Sequence, residues 1–256
     1  SALVFRVPDT AFGGVLKIIF TNSAGKSLSV PFKVIALPSV ITAFPSDFIS
    51  GSEVTITGSN LDDVTKVLLD GTTDEATIVS QTRKQMVVKM PTTTVDRAKL
   101  RVTNLSGERV SDFEMVNVAK AITVFSEQLD NSFENWGWGG TYEASTEGVI
   151  TGTKGLKAAF DPAGSWGGLQ LGAGKVTLSG HKYFTFWAKG ADVDKNVQFW
   201  LNWGGQKVIT IPANKWTYFR FELATGWPGV TNVDNVTFQM QDAGKTVYFD
   251  NIMFIK

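Results

Sequence analysis

The chain contains no cysteine, which excludes a disulfide framework, a thiolate metal site and a cysteine nucleophile together. Its one histidine, His181, sits in the turn-like stretch SGHK, and a single imidazole makes no metal cluster. Neither sign of charge prevails. Lys+Arg and Asp+Glu number 24 each, and charged residues make up only 19% of the 256. The electrostatic footprint of a nucleic-acid or anionic-membrane binder is therefore missing. No apolar run reaches the roughly 18 residues needed to cross a bilayer, and no signal-peptide pattern opens the sequence. Tryptophan and tyrosine are absent from the first 135 residues.

What is present is correspondingly uneven. All eight tryptophans fall between Trp136 and Trp227, and all four tyrosines at Tyr142 or later. The first part builds its core from Phe, Val, Ile and Leu alone. The second part carries flat, rigid, amphipathic surface beyond what packing demands, and that is the side chain suited to stacking on a ligand. The 25 glycines suit many short strands joined by tight turns.

An internal repeat organises the aliphatic part. LVFRVP at 3–8 matches MVVKMP at 86–91, and VLKIIFTNSAGKSLSVPFKV at 15–34 matches AKLRVTNLSGERVSDFEMV at 98–116. Asn22 and Gly25 recur as Asn104 and Gly107, both 82 residues on, and the joint VITAF at 40–44 recurs as AITVF at 121–125. A period of about 80 residues is one small β domain in tandem. The first copy lacks its front half, so residues 1–37 are expected to be the end of a domain that begins upstream. A complete copy spans 38–118 and a different domain 119–256. The joint NVAKA at 117–121 has no Gly or Ser run and is expected to be stiff.

Each piece of the complete copy reads as β structure. Val54 and Ile56 alternate with threonines in a half-buried strand. Gly58 and Asn60 supply a permissive turn, and Val67, Leu68 and Leu69 form a strand closed by Asp70-Gly71. The stretches Pro38-Ser39-Val40, Phe44-Pro45, SGSEVTITGSNLDDVTKVLLDG, VSQTRKQMVVKMP and LRVTNLSGE resemble the IPT/TIG immunoglobulin-like domain. That resemblance implies a spacer or stalk.

Residues 119–256 show strand-like segments at regular intervals without helical period: LKAAF, GLQLG, YFTFWAKG, VQFWLNW, KVITIP, WTYFRFEL, VTFQMQ and TVYFDNIMFI. The fold class is all-β, a sandwich or jelly roll. The YFTFWAKG and closing YFDNIMF segments resemble carbohydrate-binding jelly rolls. Alternation assigns faces. Val197, Phe199 and Leu201 point inward and Gln198, Trp200 and Asn202 outward. Val236, Phe238 and Met240 point inward, leaving Thr237, Gln239 and Gln241 outward; Leu169 and Leu171 point inward and Gln170 outward. The topology of that family places these strands on one concave sheet. The expected site is a band of neutral amides around an exposed Trp200, flanked by Trp136, Trp138 and Trp166. Amides donate to and accept from sugar hydroxyls, and indole faces match the apolar faces of pyranose rings.

Packing accounts for some of the other indoles. Trp187 and Trp216 are assigned to sheet packing on the opposite side, and Trp203 and Trp227 are left open between packing and ligand contact. In NWGWGGTY, one of Trp136 and Trp138 is expected to face in and the other out. A bulge at Gly204-Gly205 would turn Trp200 inward.

The whole arrangement resembles the B-type surface glycan-binding proteins of bacterial polysaccharide-utilisation systems. The resemblance implies non-catalytic capture of a neutral polysaccharide, a β-glucan or xyloglucan. It further implies a place on the outer membrane, a lipid anchor on an N-terminal segment absent from this chain, and a glycan import complex as partner. A glycoside hydrolase would need two carboxylates about 5–10 Å apart across the bond. The groove strands offer none, and Glu222 and Asp250 fall on the sheet assigned to the other face, so no catalytic residue is assigned. An adhesin would favour arginine and a mixed polar rim over amides. Asp250, with Glu127, Asp130 and Glu134 upstream, offers oxygens for a structural Ca2+. Solvated acids or an edge hydrogen bond explain these residues equally, and no metal or other cofactor is assigned.

Overall fold

The computed structural model describes residues 4–8, 10–162, 166–240 and 244–256. It divides into two compact units, Ser1–Ala119 and Lys120–Lys256. The fold is all-β, with one single-turn helix at Leu223–Gly226.

Within the first unit, alternation sets the core. In the Glu53–Ser59 strand Val54 and Ile56 are buried, and in Arg97–Asn104 so are Ala98, Leu100, Val102 and Asn104. With Val67, Leu69, Met86, Val88 and Met115 the apolar ones fill one core. The Glu75–Gln81 strand bends at a register shift between Ile78 and Ser80 and pairs on both edges. Asn60 takes φ 53°, the left-handed turn conformation read from the sequence.

The repeat is visible as a repeated turn. Gly14–Thr21 and Ser27–Val34 form an antiparallel hairpin, matching the pairing of Arg97–Asn104 with Gly107–Asn117. At the first turn the Asn22 side-chain oxygen accepts the N–H groups of Ala24 and Lys26. At the second, Asn104 accepts that of Ser106. Asparagine recurs because its side chain closes the turn on its own backbone.

The second unit is a sandwich. One sheet runs Gly140–Ser145, Gly155–Phe160, Thr246–Ile255, Tyr183–Gly190 and Thr217–Glu222, with Ile122–Phe125 added along Thr246–Ile255. The other runs Glu134–Asn135, Gly168–Thr177, Asn232–Met240, Lys195–Leu201 and Gly204–Ile211. Their facing sides meet in an aromatic core that includes Phe184, Phe186, Phe199, Phe238, Phe249 and Phe254. Ring centroids lie 4.5 Å apart for Phe238–Phe249 and 5.0 Å for Phe184–Phe254. The strands holding GLQLG, VTFQMQ and VQFWLNW are neighbours in the second sheet, and their outer face carries the candidate site.

Candidate functional site

Register builds this face. Gln198 stands opposite Gln239 and Trp200 opposite Thr237, while Gly168 stands opposite Gln239 and Gln170 opposite Thr237. Val197, Phe199 and Leu201 enter the core as alternation requires. The ladder with Gly204–Ile211 does shift register between Phe199 and Leu201. The pairing of Lys195–Leu201 with Asn232–Met240 runs through unbroken, so Trp200 keeps to the outer side.

The outer side is nevertheless not a solvent-washed band of amides. Trp200 is only 8% exposed, and Gln170, Gln198, Asn235 and Thr237 are buried. The expectation of an exposed Trp200 is corrected: the Trp203 ring stands 5.7 Å from it at a 37° tilt. The exposed rings are instead Trp136, Trp138, Trp166 and Trp203.

Trp136 and Trp138 are both exposed, against the expectation that one faces in. Two-residue spacing along extended chain puts both side chains on the same face. Trp136 N–H donates to Gln170 O and Trp138 N–H to Gly168 O, so this segment runs along the edge of the sheet. Glycine is what lets the rings lie down. A Cβ on Gly172 would stand 1.9 Å from Trp136 Cε3, and one on Gly168 2.5 Å from Trp138 Cη2. Only a residue without a side chain admits an indole so close to the strand.

The rings are then fixed from several sides. Trp138 and Trp203 are nearly parallel, 23° apart with centroids at 6.5 Å. Trp138 Nε1 donates to Trp166 O at 2.8 Å, and Trp136 Nε1 to Glu134 Oε2 at 3.2 Å. The Tyr142 hydroxyl donates to Trp138 O at 2.8 Å. Burial pushes that phenol well above its ordinary range, so it stays protonated and donating.

Two rings are carried on unusual backbone. Among the described residues, the non-glycine positions with positive φ are five asparagines, Ser132, Trp166 at 72° and Trp203 at 62°. Asparagine tolerates that region, but a bulky indole there is an outlier. Trp203 shares a two-residue turn with Asn202 between Lys195–Leu201 and Gly204–Ile211. Both have φ near +50 to +60°, and the second position of such a turn is ordinarily glycine. Asn202 holds the turn, donating to Asn232 O and accepting the Asp234 N–H. Its amide is therefore spent on structure.

The other amides bind one another. Gln206 donates to Gln198, Gln198 to Gln239 at 2.5 Å, and Gln239 to Trp166 O at 3.0 Å. Gln241 lies outside the described residues. Two carboxylates border the rings, and each holds a neighbour: Glu134 takes the Trp136 indole N–H, and Asp234 takes Asn235 Nδ2.

The remaining aromatics serve packing. Trp227 belongs to the core, donating its Nε1 to Gly204 O with Lys207 4.7 Å above its ring. Trp187 is buried against Tyr218 on the opposite sheet, and Lys189 lies over Trp216. Asp250 is fully buried, and its carboxylate accepts backbone N–H groups of Ile150, Thr151 and Asn251, donors where a cation would need oxygens. No cluster of three or more His, Cys, Asp or Glu occurs among the described residues.

Alternation alone leaves Trp203 open, but the sequence carries its signal: a strand and a glycine-led strand separated by two residues, one of them tryptophan in the place of glycine.

Comparison with known proteins places the fold. Residues 38–113 match the IPT/TIG domain, and no curated protein matches the chain. Among solved structures, SGBP-B from a complex xyloglucan utilization locus in Bacteroides uniformis is 18% identical at a TM-score of 0.54. The match covers 98% of this chain and 82% of that one. A second structure, a complex with xylogluco-oligosaccharide, is 15% identical at a TM-score of 0.52, covering 97% of this chain and 64% of that one. The chain shares the fold of these two structures.

Proposed function

We propose that the second unit captures a neutral polysaccharide without cleaving it, and that the ligand is a β-glucan or xyloglucan. One observation carries this reading: the exposed, nearly parallel rings of Trp138 and Trp203, with Trp136 beside Trp138 along the edge, on one face of one sheet. A row of indole faces fits a chain of pyranose rings. The neutral amide network beneath offers no charge to attract an ionic ligand. The shared fold with a protein of a xyloglucan utilization locus supports the choice of glycan. In this reading the IPT/TIG module is a spacer, the protein sits at the cell surface on the outer membrane through a lipid anchor, and its partner is a glycan import complex.

Each stacked ring contributes roughly 0.5–1.5 kcal/mol and each net hydrogen bond about 1 kcal/mol. A few of each, after association costs, give a dissociation constant between roughly micromolar and millimolar.

Native affinity electrophoresis against a panel of neutral polysaccharides tests the reading. Retardation by one or two β-glucans is expected, with Trp138→Ala and Trp203→Ala each weakening binding by about two- to twelvefold. Migration unchanged by every glycan would refute it and favour a protein-binding adhesin.

A further inference from the structure

One polar group on this face takes no part in its network. Trp200 is 92% buried, and its Nε1 has neither a hydrogen-bond partner nor contact with solvent. Its neighbours on the outer side are engaged: Gln198 and Gln239 with each other, the Thr237 hydroxyl with Asn235 Oδ1. Among the described residues it is the one buried orphan polar group on the outer face of this sheet. Burial strips an indole N–H of its water, and native proteins seldom leave the loss uncompensated.

The Trp203 ring stands beside Trp200, centroids 5.7 Å apart, itself 62% exposed and on left-handed backbone at the tip of a hairpin. Strained backbone of this kind clusters at binding sites, where the surroundings hold it in place. The structure thus sets an unpaired donor next to the exposed rings.

We propose that Trp200 is a specificity-determining donor: a sugar chain stacked on the rings of Trp138 and Trp203 presents an oxygen that accepts the Trp200 indole N–H. Trp200 acts through its nitrogen, whereas Trp136, Trp138 and Trp203 act through their faces. Ring stacking tolerates most pyranoses, but a buried donor rejects a ligand that presents no acceptor at that place. The inference rests on glycan capture by this face and deepens it.

The experiment is a titration of the full chain with xylogluco-oligosaccharide, followed by calorimetry and by the 1H–15N signals of the indole groups. Trp200→Phe keeps an aromatic ring and removes the donor with the five-membered part of the indole. Its affinity is expected to fall about five- to tenfold. In the wild type, the assigned Trp200 indole signal is expected to shift downfield at saturation, and to do so also in Trp203→Ala, where the ring current of that neighbour is gone. Undiminished affinity of the Phe variant, or a Trp200 signal that stays put while those of Trp138 and Trp203 move, overturns the proposal. If the wild type binds no glycan, the capture reading falls first and this one with it. If the Phe variant fails to fold, the wild-type signal still decides.

Discussion

A single methyl group on Gly172 tests how the rings are supported. Its Cβ would stand 1.9 Å from Trp136 Cε3 and 2.2 Å from Cδ2 and Cζ3. Non-bonded carbons rest about 3.5–4.0 Å apart, so Gly172→Ala must lift the indole by roughly 2 Å. The methyl points away from the core, where Leu169 and Leu171 are fully buried on the other side of the same strand. Folding should therefore be little changed. Binding should fall by the worth of one stacked ring, roughly 0.5–1.5 kcal/mol, or about two- to twelvefold in dissociation constant. Trp136→Ala should cost about the same. Gly172→Ala combined with Trp136→Ala should cost no more than either alone, because both remove one contact. Calorimetric titration of the three variants with xylogluco-oligosaccharide, beside their thermal melts, reads all of this. Full affinity in Gly172→Ala beside a weakened Trp136→Ala would refute the support of the ring by the glycine. Additive losses would do the same.

Tyr142→Phe removes the hydroxyl that donates to Trp138 O. A loss of about 1 kcal/mol should lower the melting temperature by roughly 3–5 °C; an unchanged melt would argue against that bond. Glu127 supplies a pH dependence. Burial alone would raise its pKa, but the Thr153 hydroxyl and the N–H groups of Thr153 and Lys154 together hold it below its ordinary 4.5. A carboxylate depressed by folding contributes stability above its unfolded pKa and loses it as pH falls through the folded one. Glu127→Gln should therefore melt lower than the wild type at pH 7, by a margin that narrows as the pH falls through the folded pKa. A margin that does not narrow in acid would count against this account.

Much of the fold is legible in the sequence because period-2 alternation survives intact: Val54 with Ile56, Leu100 with Val102, and Val197 with Phe199 and Leu201 all enter cores. The repeated turn is legible in Asn22 and Asn104 for the same local reason. The candidate site is only half legible. Alternation puts Gln198 and Trp200 on the outer face, but it says nothing of what lies above that face. The covering layer comes from Trp136, Trp138 and Trp203, which reach it from an edge segment and a hairpin tip. Its condition is cross-strand placement: the Trp136 ring must reach past its partner Gln170 to lie over Gly172, and the Trp138 ring must lie over Gly168. No window along one strand contains that information. Asn202, which alternation places among the outward amides, closes the turn that holds Trp203 in place.

The Gly168–Thr177 strand separates two kinds of constraint by parity. Its inward residues, Leu169 and Leu171, are locked into a dense aromatic core, while Gly168 and Gly172 lie beneath the rings. Changes at 169 or 171 put folding at risk. Changes at 168 or 172 alter only the height and pitch of an indole. On the proposed reading, such a strand would let the ring-bearing face change in steps of one methyl group while the core-facing residues stay as they are.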